Sequence, residues 1–290
     1  MGERSILVCG AGLMGHGIAQ VFAAAGHRVA IYEPDRSRAE AGRARIAGNL
    51  ERAVARGRLD AGAREAQLDR IRVAGSLADG SAGAELVVEA AFEDEAVKRA
   101  LFAELDALAP AAAIVASNTS SISITRLATA CRPERRTRFV GMHFFSPVPV
   151  MPLVELTRGI ETDDATEAAV RAIAAELGKQ VIASRDRPGF IVNRILMPFL
   201  AEAMRAYEEG LGTAEDIDAG ARLGLNHPMG PLALADFIGL DVCLQIMEVL
   251  HAGFGRPDLA PPPVLRQLVA AGHLGQKSGR GFFVYPGPRT

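Results

Sequence analysis

The sequence predicts an α/β protein with a doubly wound sheet, followed by an all-helical C-terminal domain, and three observations carry this prediction. Short apolar runs alternate with helical patterns through roughly the first 185 residues. The centres of these runs are continuous Val, Ile and Leu, which is typical of strands buried on both faces of a sheet. After Arg187, Pro188 and Gly189 the strand pattern stops, and helical patterns follow.

Eight apolar runs are predicted to form strands. In chain order they are residues 5–9, 28–32, 71–73, 85–89, 114–117, 139–144, 153–156 and 180–183. The nearly forty residues between Glu33 and Ile71 are rich in Arg, Ala and Glu, and are too many for a simple connection between strand and helix. They predict a helical arm, at about residues 36–70, inserted into a first domain of residues 1–186. Residues 187–290 form the predicted second domain.

Composition argues against several classes of protein. The net charge is −2 and the pI is near 6.3, so overall charge suggests neither a nucleic-acid partner nor an anionic membrane. No apolar run reaches the ~20 residues needed to span a bilayer, and the N-terminus lacks the pattern of a signal peptide. Three cysteines, each more than a hundred residues from the next, give neither a disulfide framework nor a metal-binding spacing. We therefore expect a cytoplasmic, reduced, metal-free protein.

A glycine loop follows the first predicted strand and opens a helix. It reads Gly10, Ala11, Gly12, Leu13, Met14, Gly15. In this context the spacing predicts a dinucleotide site: the glycines permit a tight turn, close approach of a pyrophosphate and close packing of helix on strand. Glu33, eighteen residues past Gly15, ends the second predicted strand, where a carboxylate accepts from ribose hydroxyls and repels a 2′-phosphate. We expect NAD rather than NADP; a glycine-rich turn without a ligand is the alternative.

The stretch 141–159 contains a candidate general base. His143 lies near the end of one predicted strand and Glu155 lies inside the next. The connection between these strands is too short for an ordinary parallel crossover, so we expect an antiparallel return centred on Pro149, with His143 opposite Glu155. A carboxylate beside an imidazole fixes its tautomer and stabilises the imidazolium that forms on proton transfer. From the residues alone, a core histidine with an unrelated strand carboxylate is equally compatible.

Two further polar residues are candidates for contact with a substrate. Ser120 follows a predicted strand within ASNTSS, at the carboxyl edge where ligands bind in open α/β sheets. Asn193 lies at the predicted start of the second domain, in PGFIVNRIL. Helix capping for Ser120 and a local backbone bond for Asn193 are the alternatives.

Six motifs, taken together and in order, are similar to those of one family. They are GAGLMGHGIAQ, ASNTSS, HFFSPVPVMPLVEL, PGFIVNRIL, HPMGPLALADFIGLD and GQKSGRGFF. The chain resembles the 3-hydroxyacyl-CoA dehydrogenase family, in particular its short-chain 3-hydroxybutyryl-CoA dehydrogenases, from Ser5 to about Tyr285. The resemblance implies a Rossmann-type NAD-binding domain with a helical hairpin inserted after the second strand. It also implies a helical C-terminal domain that serves substrate binding and pairs two subunits as a homodimer.

The resemblance also implies roles for individual residues. His143 would remove the proton of the 3-hydroxyl group of an acyl-CoA, with Glu155 orienting it, while Ser120 and Asn193 would hold the substrate oxygen and the active-site geometry. Positions implied to touch the cofactor are Glu93, Lys98, Ser120, Ser146 and Lys277. The family often has Asn at the position of Ser146 and Asp at the position of Glu33, so this chain departs from the family pattern at Ser146, whereas the acid at Glu33 is retained.

The predicted arm carries a polar stripe with two interpretations. Arg45, Asn49, Arg52 and Arg56 recur at spacings of four, three and four, which places them on one helical face. Ile46, Leu50 and Val54 form a neighbouring face that we expect to pack inward. Guanidinium groups suit the phosphates of CoA, and the resemblance implies CoA contacts at Asn49 and Arg56. A solvated face is an equally good interpretation of the spacing.

The leading hypothesis is an NAD-dependent 3-hydroxyacyl-CoA dehydrogenase acting on short to medium chains. A dehydrogenase of a free hydroxy acid or sugar acid is the alternative enzyme, and a non-catalytic NAD-binding protein is the third hypothesis. The presence of Ser120, His143, Glu155 and Asn193 together disfavours the third.

Only three of the 32 basic Lys and Arg residues are lysines, namely Lys98, Lys179 and Lys277.

Overall fold

The computed structural model describes residues 2–286, and its first unit, which ends at Arg187, is built on one eight-stranded sheet. Met1 and residues 287–290, which the predicted domains include, lie outside the described range. The strands are β1 Ser5–Cys9, β2 Arg28–Tyr32, β3 Ile71–Val73, β4 Leu86–Glu89, β5 Ile114–Ser117, β6 Phe139–Phe144, β7 Leu153–Arg158 and β8 Gln180–Arg185. Their order across the sheet is β3-β2-β1-β4-β5-β6-β7-β8, and neighbours run parallel except for β6 and β7.

Helices alternate with these strands, which confirms the predicted α/β doubly wound class. The helices of the first unit are α1 Leu13–Ala24, α2 Arg36–Ala55, α3 Ala61–Asp69, α4 Leu77–Ser81, α5 Glu95–Leu108, α6 Ile124–Ala128, α7 Pro133–Arg136 and α8 Asp164–Glu176. The predicted arm consists of α2 and α3, inserted between β2 and β3. Ile46 and Leu50 of α2 are buried as expected, and Val54 is partly buried.

The core of the first unit forms where the apolar strand centres meet α1. Val8 of β1, Val88 of β4, and Ile18 and Phe22 of α1 belong to this core and are all 0% exposed. Each such side chain contributes roughly 1.5–3 kcal/mol relative to leaving it in water. Burial on both faces of the sheet therefore explains the continuous apolar runs. The buried strands in turn hold in place the strand ends, which carry the polar residues.

The return from β6 to β7 is antiparallel, and its register places His143 opposite Glu155, as the sequence predicts. Three strand ends differ from prediction. β4 begins at Leu86 rather than at the exposed Glu85, and β7 and β8 continue to Arg158 and Arg185.

The extension of β7 and β8 has a physical cause that an apolar pattern does not reveal. The added residues are polar, but they pair in register, Thr157 with Ser184 and Arg158 with Arg185. The buried hydroxyls of Thr157 and Ser184 satisfy each other at 2.6 Å, so the ladder continues beyond the last apolar residue.

The second unit begins at Pro188, and its main elements are helices, as predicted. Its α-helices are α9 Val192–Glu208, α10 Ala214–Ala219, α11 Pro231–Ile238, α12 Leu240–Phe254 and α13 Pro263–Ala270. The buried core of this unit includes Met197, Leu200 and Met204 of α9, Leu232 of α11 and Cys243 of α12.

Within residues 2–286, no helix combines the length and the apolar character that crossing a membrane requires. Over the same range, no group of three or more His, Cys, Asp or Glu side chains is arranged to hold a metal ion. All three cysteines are unpaired with one another and buried.

Candidate active site

The glycine loop, residues 10–15, joins the end of β1 to the start of α1. Gly10 has a φ of +108°, and a Cβ built there would lie 2.4 Å from the carbonyl oxygen of Ala90. A Cβ on Gly15 would lie 1.9 Å from the carbonyl oxygen of Gly10, so neither position has room for a side chain. A Cβ on Gly12, by contrast, would meet no atom within 4 Å. The backbone at Gly12 therefore borders open space.

The start of α1 has the features that the pyrophosphate of NAD requires. Among the described residues, no side chain caps this helix, and its first residue, Leu13, is 69% exposed. The N–H groups of the first turn, at Leu13 and Met14, and the positive end of the helix dipole are therefore left for an anionic ligand. Together with the open space at Gly12, this fits a dinucleotide.

Glu33, directly after β2, is tied to the glycine loop. Its Oε2 accepts the backbone N–H of Ala11 at 3.2 Å, and its Oε1 lies 4.0 Å from a guanidinium nitrogen of Arg38. The side chain is 14% exposed. This carboxylate stands beside the pyrophosphate loop, where it suits ribose hydroxyls and repels a 2′-phosphate.

A buried charge cluster, formed by Glu89, Glu93 and Lys98, lies at the carboxyl end of β4. The ammonium of Lys98 is 2.6 Å from Glu89 and 3.2 Å from Glu93, and its side chain is 1% exposed. Burial raises the pKa of Glu89, although Lys98 and Ser117 oppose this shift. Burial also acts to raise the pKa of Glu93, but Lys98 and the donors from Thr119 and Ser120 outweigh it and lower that pKa. Lys98 neutralises the enclosed carboxylate of Glu89 and the partly exposed carboxylate of Glu93, and its contact with a cofactor stays a prediction.

The charge cluster holds the loop that carries Ser120. Glu93 Oε1 accepts the backbone N–H of Ser120 at 3.0 Å and the hydroxyl of Thr119 at 2.5 Å. Asn118 in the same loop accepts the backbone N–H of Phe144 at 2.8 Å, next to His143 in β6. Sequence reasoning selected Ser120 but missed Asn118 and Thr119, although both belong to the same ASNTSS motif.

His143 and Glu155 meet across the β6–β7 ladder. Nδ1 of His143 lies 3.2 Å from Oε2 of Glu155, and the Glu155 side chain is 0% exposed. The imidazole is 4.4 Å, between ring centroids, from Phe145. Since a carboxylate accepts, this bond places the proton of a neutral imidazole on Nδ1, so that proton exchange with a substrate falls to Nε2.

A cleft of about 560 Å³ lies between α1, α2 and the loop that joins β6 to β7. Asn49, Arg52 and Arg56 of the predicted polar stripe line it, and so does Ser146. Its described lining does not include Arg45. Sequence reasoning missed three further polar residues of the lining, His16, Gln20 and Arg58. Gln20 accepts from the Asn49 amide at 3.2 Å, which ties α2 to α1.

Two candidate site residues belong to the second unit. Asn193, in the first turn of α9, is 7% exposed. Lys277 pairs with Asp241 at 2.6 Å, and both side chains are partly exposed. The roles implied for these two residues stay predictions.

The first unit thus combines three features along the carboxyl edge of its parallel strands. These are a loop suited to a dinucleotide, an imidazole–carboxylate pair suited to moving a proton, and an arginine-lined cleft suited to phosphates. This combination can support removal of the hydroxyl proton of an alcohol as a hydride leaves the carbon that bears that hydroxyl.

Two family models match the chain. "3-Hydroxyacyl-CoA dehydrogenase, NAD binding domain" matches residues 5–187, and "3-hydroxyacyl-CoA dehydrogenase, C-terminal domain" matches residues 189–285.

Full-length relatives agree with these models. The chain is 52% identical to 3-hydroxybutyryl-CoA dehydrogenase of Bradyrhizobium diazoefficiens, over 99% of this chain and 97% of that protein. It is 46% identical to a probable 3-hydroxybutyryl-CoA dehydrogenase of Bacillus subtilis, over 97% of each chain. The crystal structure of (S)-3-hydroxybutyryl-CoA dehydrogenase from Ralstonia eutropha matches with a TM-score of 0.93 at 45% identity, covering 99% of this chain and 100% of that one.

Proposed function

The chain belongs to the 3-hydroxyacyl-CoA dehydrogenase family and is an NAD-dependent oxidoreductase, and we propose that its substrate is a short-chain ester such as (S)-3-hydroxybutyryl-CoA. The product is then the 3-ketoacyl-CoA, and the reverse reaction reduces that ketone. The observation that carries the catalytic assignment is the 3.2 Å contact between His143 and the buried Glu155.

In this mechanism His143 accepts the proton of the 3-hydroxyl group at Nε2. Glu155 keeps the other nitrogen protonated and stabilises the imidazolium that results. Ser120 donates a hydrogen bond to the substrate oxygen from a loop that Glu93 holds at its backbone. In the reverse direction, the protonated imidazole returns the proton to the oxygen of the ketone.

NAD is held, in this proposal, by the first turn of α1 at its pyrophosphate and by Glu33 at its adenine ribose. When bound, it supplies the nicotinamide that accepts a hydride from C3 of the substrate. Glu93, Lys98, Ser146 and Lys277 are proposed as further contacts with NAD. Asn193 is proposed to hold the substrate oxygen and the active-site geometry, as its motif implies.

The phosphates of CoA are proposed to bind in the cleft lined by Arg52 and Arg56. Both guanidinium groups are exposed there, and the amide of Asn49 lies between α1 and α2. This cationic lining favours a CoA ester over the alternative substrates, free hydroxy acids and sugar acids, since these lack the phosphates that it suits.

Turnover with acetoacetyl-CoA and NADH, followed by the loss of absorbance at 340 nm, tests the proposal, with free acetoacetate at equal concentration as the matched control. We expect oxidation of NADH with the ester and little with the free acid. Equal rates with both would favour the alternative substrate class. Tight NADH binding without turnover of either would contradict the proposed activity.

We further propose a homodimer formed through the second unit. Large apolar side chains are exposed there, including Leu211 at 80%, Leu223 at 84% and Leu225 at 61%, and such surfaces are typical of interfaces. Light scattering of the wild type and of Leu223→Asp tests this: the wild type should have twice the mass of one chain, and the variant should dissociate. The cytoplasmic location expected from the sequence stays a prediction.

A further inference from the structure

Lys179 is one of three lysines in the chain, and it is the only one to which neither the motifs nor the proposed mechanism gives a role. It lies between the end of α8 and the start of β8. The residue is 9% exposed, and its ammonium donates to the carbonyl oxygens of Val148 and Met151, each at 2.7 Å. A buried ammonium is costly unless hydrogen bonds compensate it, so these two bonds are structurally significant.

The two carbonyls belong to the proline loop, residues 145–152, which connects the strand of His143 to the strand of Glu155. Three of its eight residues, Pro147, Pro149 and Pro152, have no backbone N–H. The N–H groups of Val150 and Met151 both bond the carbonyl of Pro147, at 2.9 and 3.0 Å. The loop therefore has few donors of its own, and the ammonium of Lys179 satisfies two of its carbonyls from outside.

The proline loop also packs on α1. The Val148 side chain is 2% exposed, and a Cβ built on Gly17 would lie 3.0 Å from the Val148 Cβ. The loop is thus held both by its packing on Gly17 and by the bonds from Lys179. Its residues Ser146 to Val150 form the wall of the cleft that faces Arg52 and Arg56 of α2.

Lysine suits this position better than arginine, although arginine is otherwise the chain's usual cation. An ammonium is a compact charge with three donors, and it can bond two carbonyls of one tight loop. A guanidinium is a wide planar fork that suits two oxygens of one anion. The geometry of the proline loop therefore explains why lysine, rather than arginine, suits position 179.

We propose that Lys179 is a positioning residue that sets the wall of the acyl-CoA cleft by anchoring the proline loop at Val148 and Met151. This inference rests on the proposed function, because it takes the cleft to be the acyl-CoA site. It assigns Lys179 an effect on substrate affinity that passes through the loop rather than through direct contact.

Steady-state kinetics of Lys179→Met with acetoacetyl-CoA and NADH test the proposal. We expect KM for the ester to rise about tenfold with kcat changed less than about threefold, the pattern of lost binding rather than lost chemistry. The Kd of NADH should rise by a smaller factor than the KM of the ester, since α1 keeps its first turn and Ser146 is the one proposed cofactor contact that lies in the loosened loop. The matched control is Arg171→Met on α8, which removes one positive charge from a side chain that is 41% exposed.

Hydrogen exchange supplies a local readout. Amides of residues 145–152 should exchange faster in Lys179→Met than in the wild type, while those of α8 keep their rates. Lys179→Gln, whose amide can still donate, should give intermediate values of both KM and exchange. If Lys179→Met does not fold, Lys179→Gln decides the question by the same two measurements.

An unchanged KM together with unchanged exchange in the loop would overturn the role of Lys179. A fall in melting temperature with KM unchanged would also overturn it, because that result describes a residue that stabilises the fold alone. Absence of turnover with acetoacetyl-CoA in the wild type would instead contradict the proposed function, so the two failures are distinguishable.

Discussion

Glu155 lies directly opposite His143 in the antiparallel ladder of β6 and β7, and its carboxylate is wholly enclosed while the imidazole remains 9% exposed at its side chain. A charge shielded from water in this way interacts more strongly with its partner than it would in solvent. In the proposed mechanism, this carboxylate stabilises the imidazolium that forms when the ring of His143 takes a proton from an alcohol.

His143→Ala should lower kcat by the ~10²–10⁴-fold typical of a general acid–base group. NADH affinity should stay nearly unchanged, because the first turn of α1 and Glu33 do not depend on the imidazole. Stopped-flow turnover and fluorescence titration with NADH measure the two quantities. Loss of NADH binding, with the circular dichroism spectrum unchanged, would contradict a purely catalytic role.

Glu155→Gln keeps a hydrogen-bond acceptor beside His143 and removes the charge. We expect kcat to fall by less than in His143→Ala, because the tautomer is still held while the imidazolium is no longer stabilised. A Glu155→Gln enzyme with wild-type kcat over the whole pH range would show that the carboxylate serves the fold alone.

Glu33→Ala should weaken NADH binding and narrow the gap between NADH and NADPH. The carboxylate that repels a 2′-phosphate is removed, while Arg38, 4.0 Å from Glu33, remains to attract it. The ratio of the two dissociation constants, measured by fluorescence, checks this. An unchanged ratio would mean that the ribose is recognised by other residues, and Glu33→Asp, which keeps the charge, is the matched control.

The sequence predicted those features that depend on local patterns. Apolar runs located all eight strands, and the short connection around Pro149 predicted that His143 would face Glu155. The sequence did not reveal the contacts between distant segments, such as Asn118 with Phe144 or Lys179 with Val148. These depend on which strand ends become neighbours in the folded sheet, and no local pattern encodes that. The small number of lysines marked three positions for attention, but it did not indicate which carbonyls Lys179 binds.

The double variant Arg52→Glu/Arg56→Glu should raise KM for acetoacetyl-CoA roughly 10-fold to 100-fold, because two donors to phosphate become two repelling charges. The effect should weaken as salt concentration rises, since both side chains are exposed. Arg45→Glu is the matched control: it lies on the same helix and is exposed, but it is outside the described lining of the cleft. Equal effects of Arg45→Glu and the double variant would contradict a specific phosphate site.

Asp106 should make stability depend on pH in the acid range. Burial acts to raise its pKa, but bonds from Arg132 and Arg135 outweigh this and lower it. A carboxyl whose pKa is lowered by folding stabilises the fold fully above its unfolded pKa of about 3.9, and that stabilisation is lost as pH falls through the folded pKa. Asp106→Asn should therefore be less stable than the wild type at pH 7, by roughly 1.5–3 kcal/mol, because the buried guanidinium of Arg135 loses its carboxylate partner and keeps only neutral acceptors such as the carbonyls of Ala109 and Pro110.

The difference in unfolding free energy between wild type and Asp106→Asn should shrink as the pH is lowered from 5 through 4 to 3. Urea unfolding of both proteins at each pH measures it. Asp69→Asn, at an exposed position at the end of α3, should show no such dependence. A constant difference between wild type and Asp106→Asn at every pH would show that packing, rather than ionisation, accounts for the loss.

Lys98→Met tests whether the charge cluster is a structural unit in the protein without cofactor. Because the ammonium is 1% exposed and compensates both Glu89 and Glu93, its removal leaves two carboxylates with uncompensated charge. We expect the cofactor-free chain to lose roughly 3–5 kcal/mol of unfolding free energy, as is usual when one partner of a buried pair is removed. Lys277→Met removes a lysine from a half-exposed pair with Asp241 and should cost less than about 1 kcal/mol.

The double variant Glu89→Gln/Lys98→Met should recover part of the loss, because removing the carboxylate whose pKa burial already raises relieves the uncompensated charge. Urea unfolding, without NADH, of the wild type, Glu89→Gln, Lys98→Met and the double variant gives the coupling free energy between Glu89 and Lys98 directly. A Lys98→Met chain as stable as the wild type, but with weaker NADH binding, would instead assign Lys98 to direct contact with the cofactor. The unfolding free energy of the cofactor-free chain therefore distinguishes a structural role of Lys98 from direct contact with the cofactor.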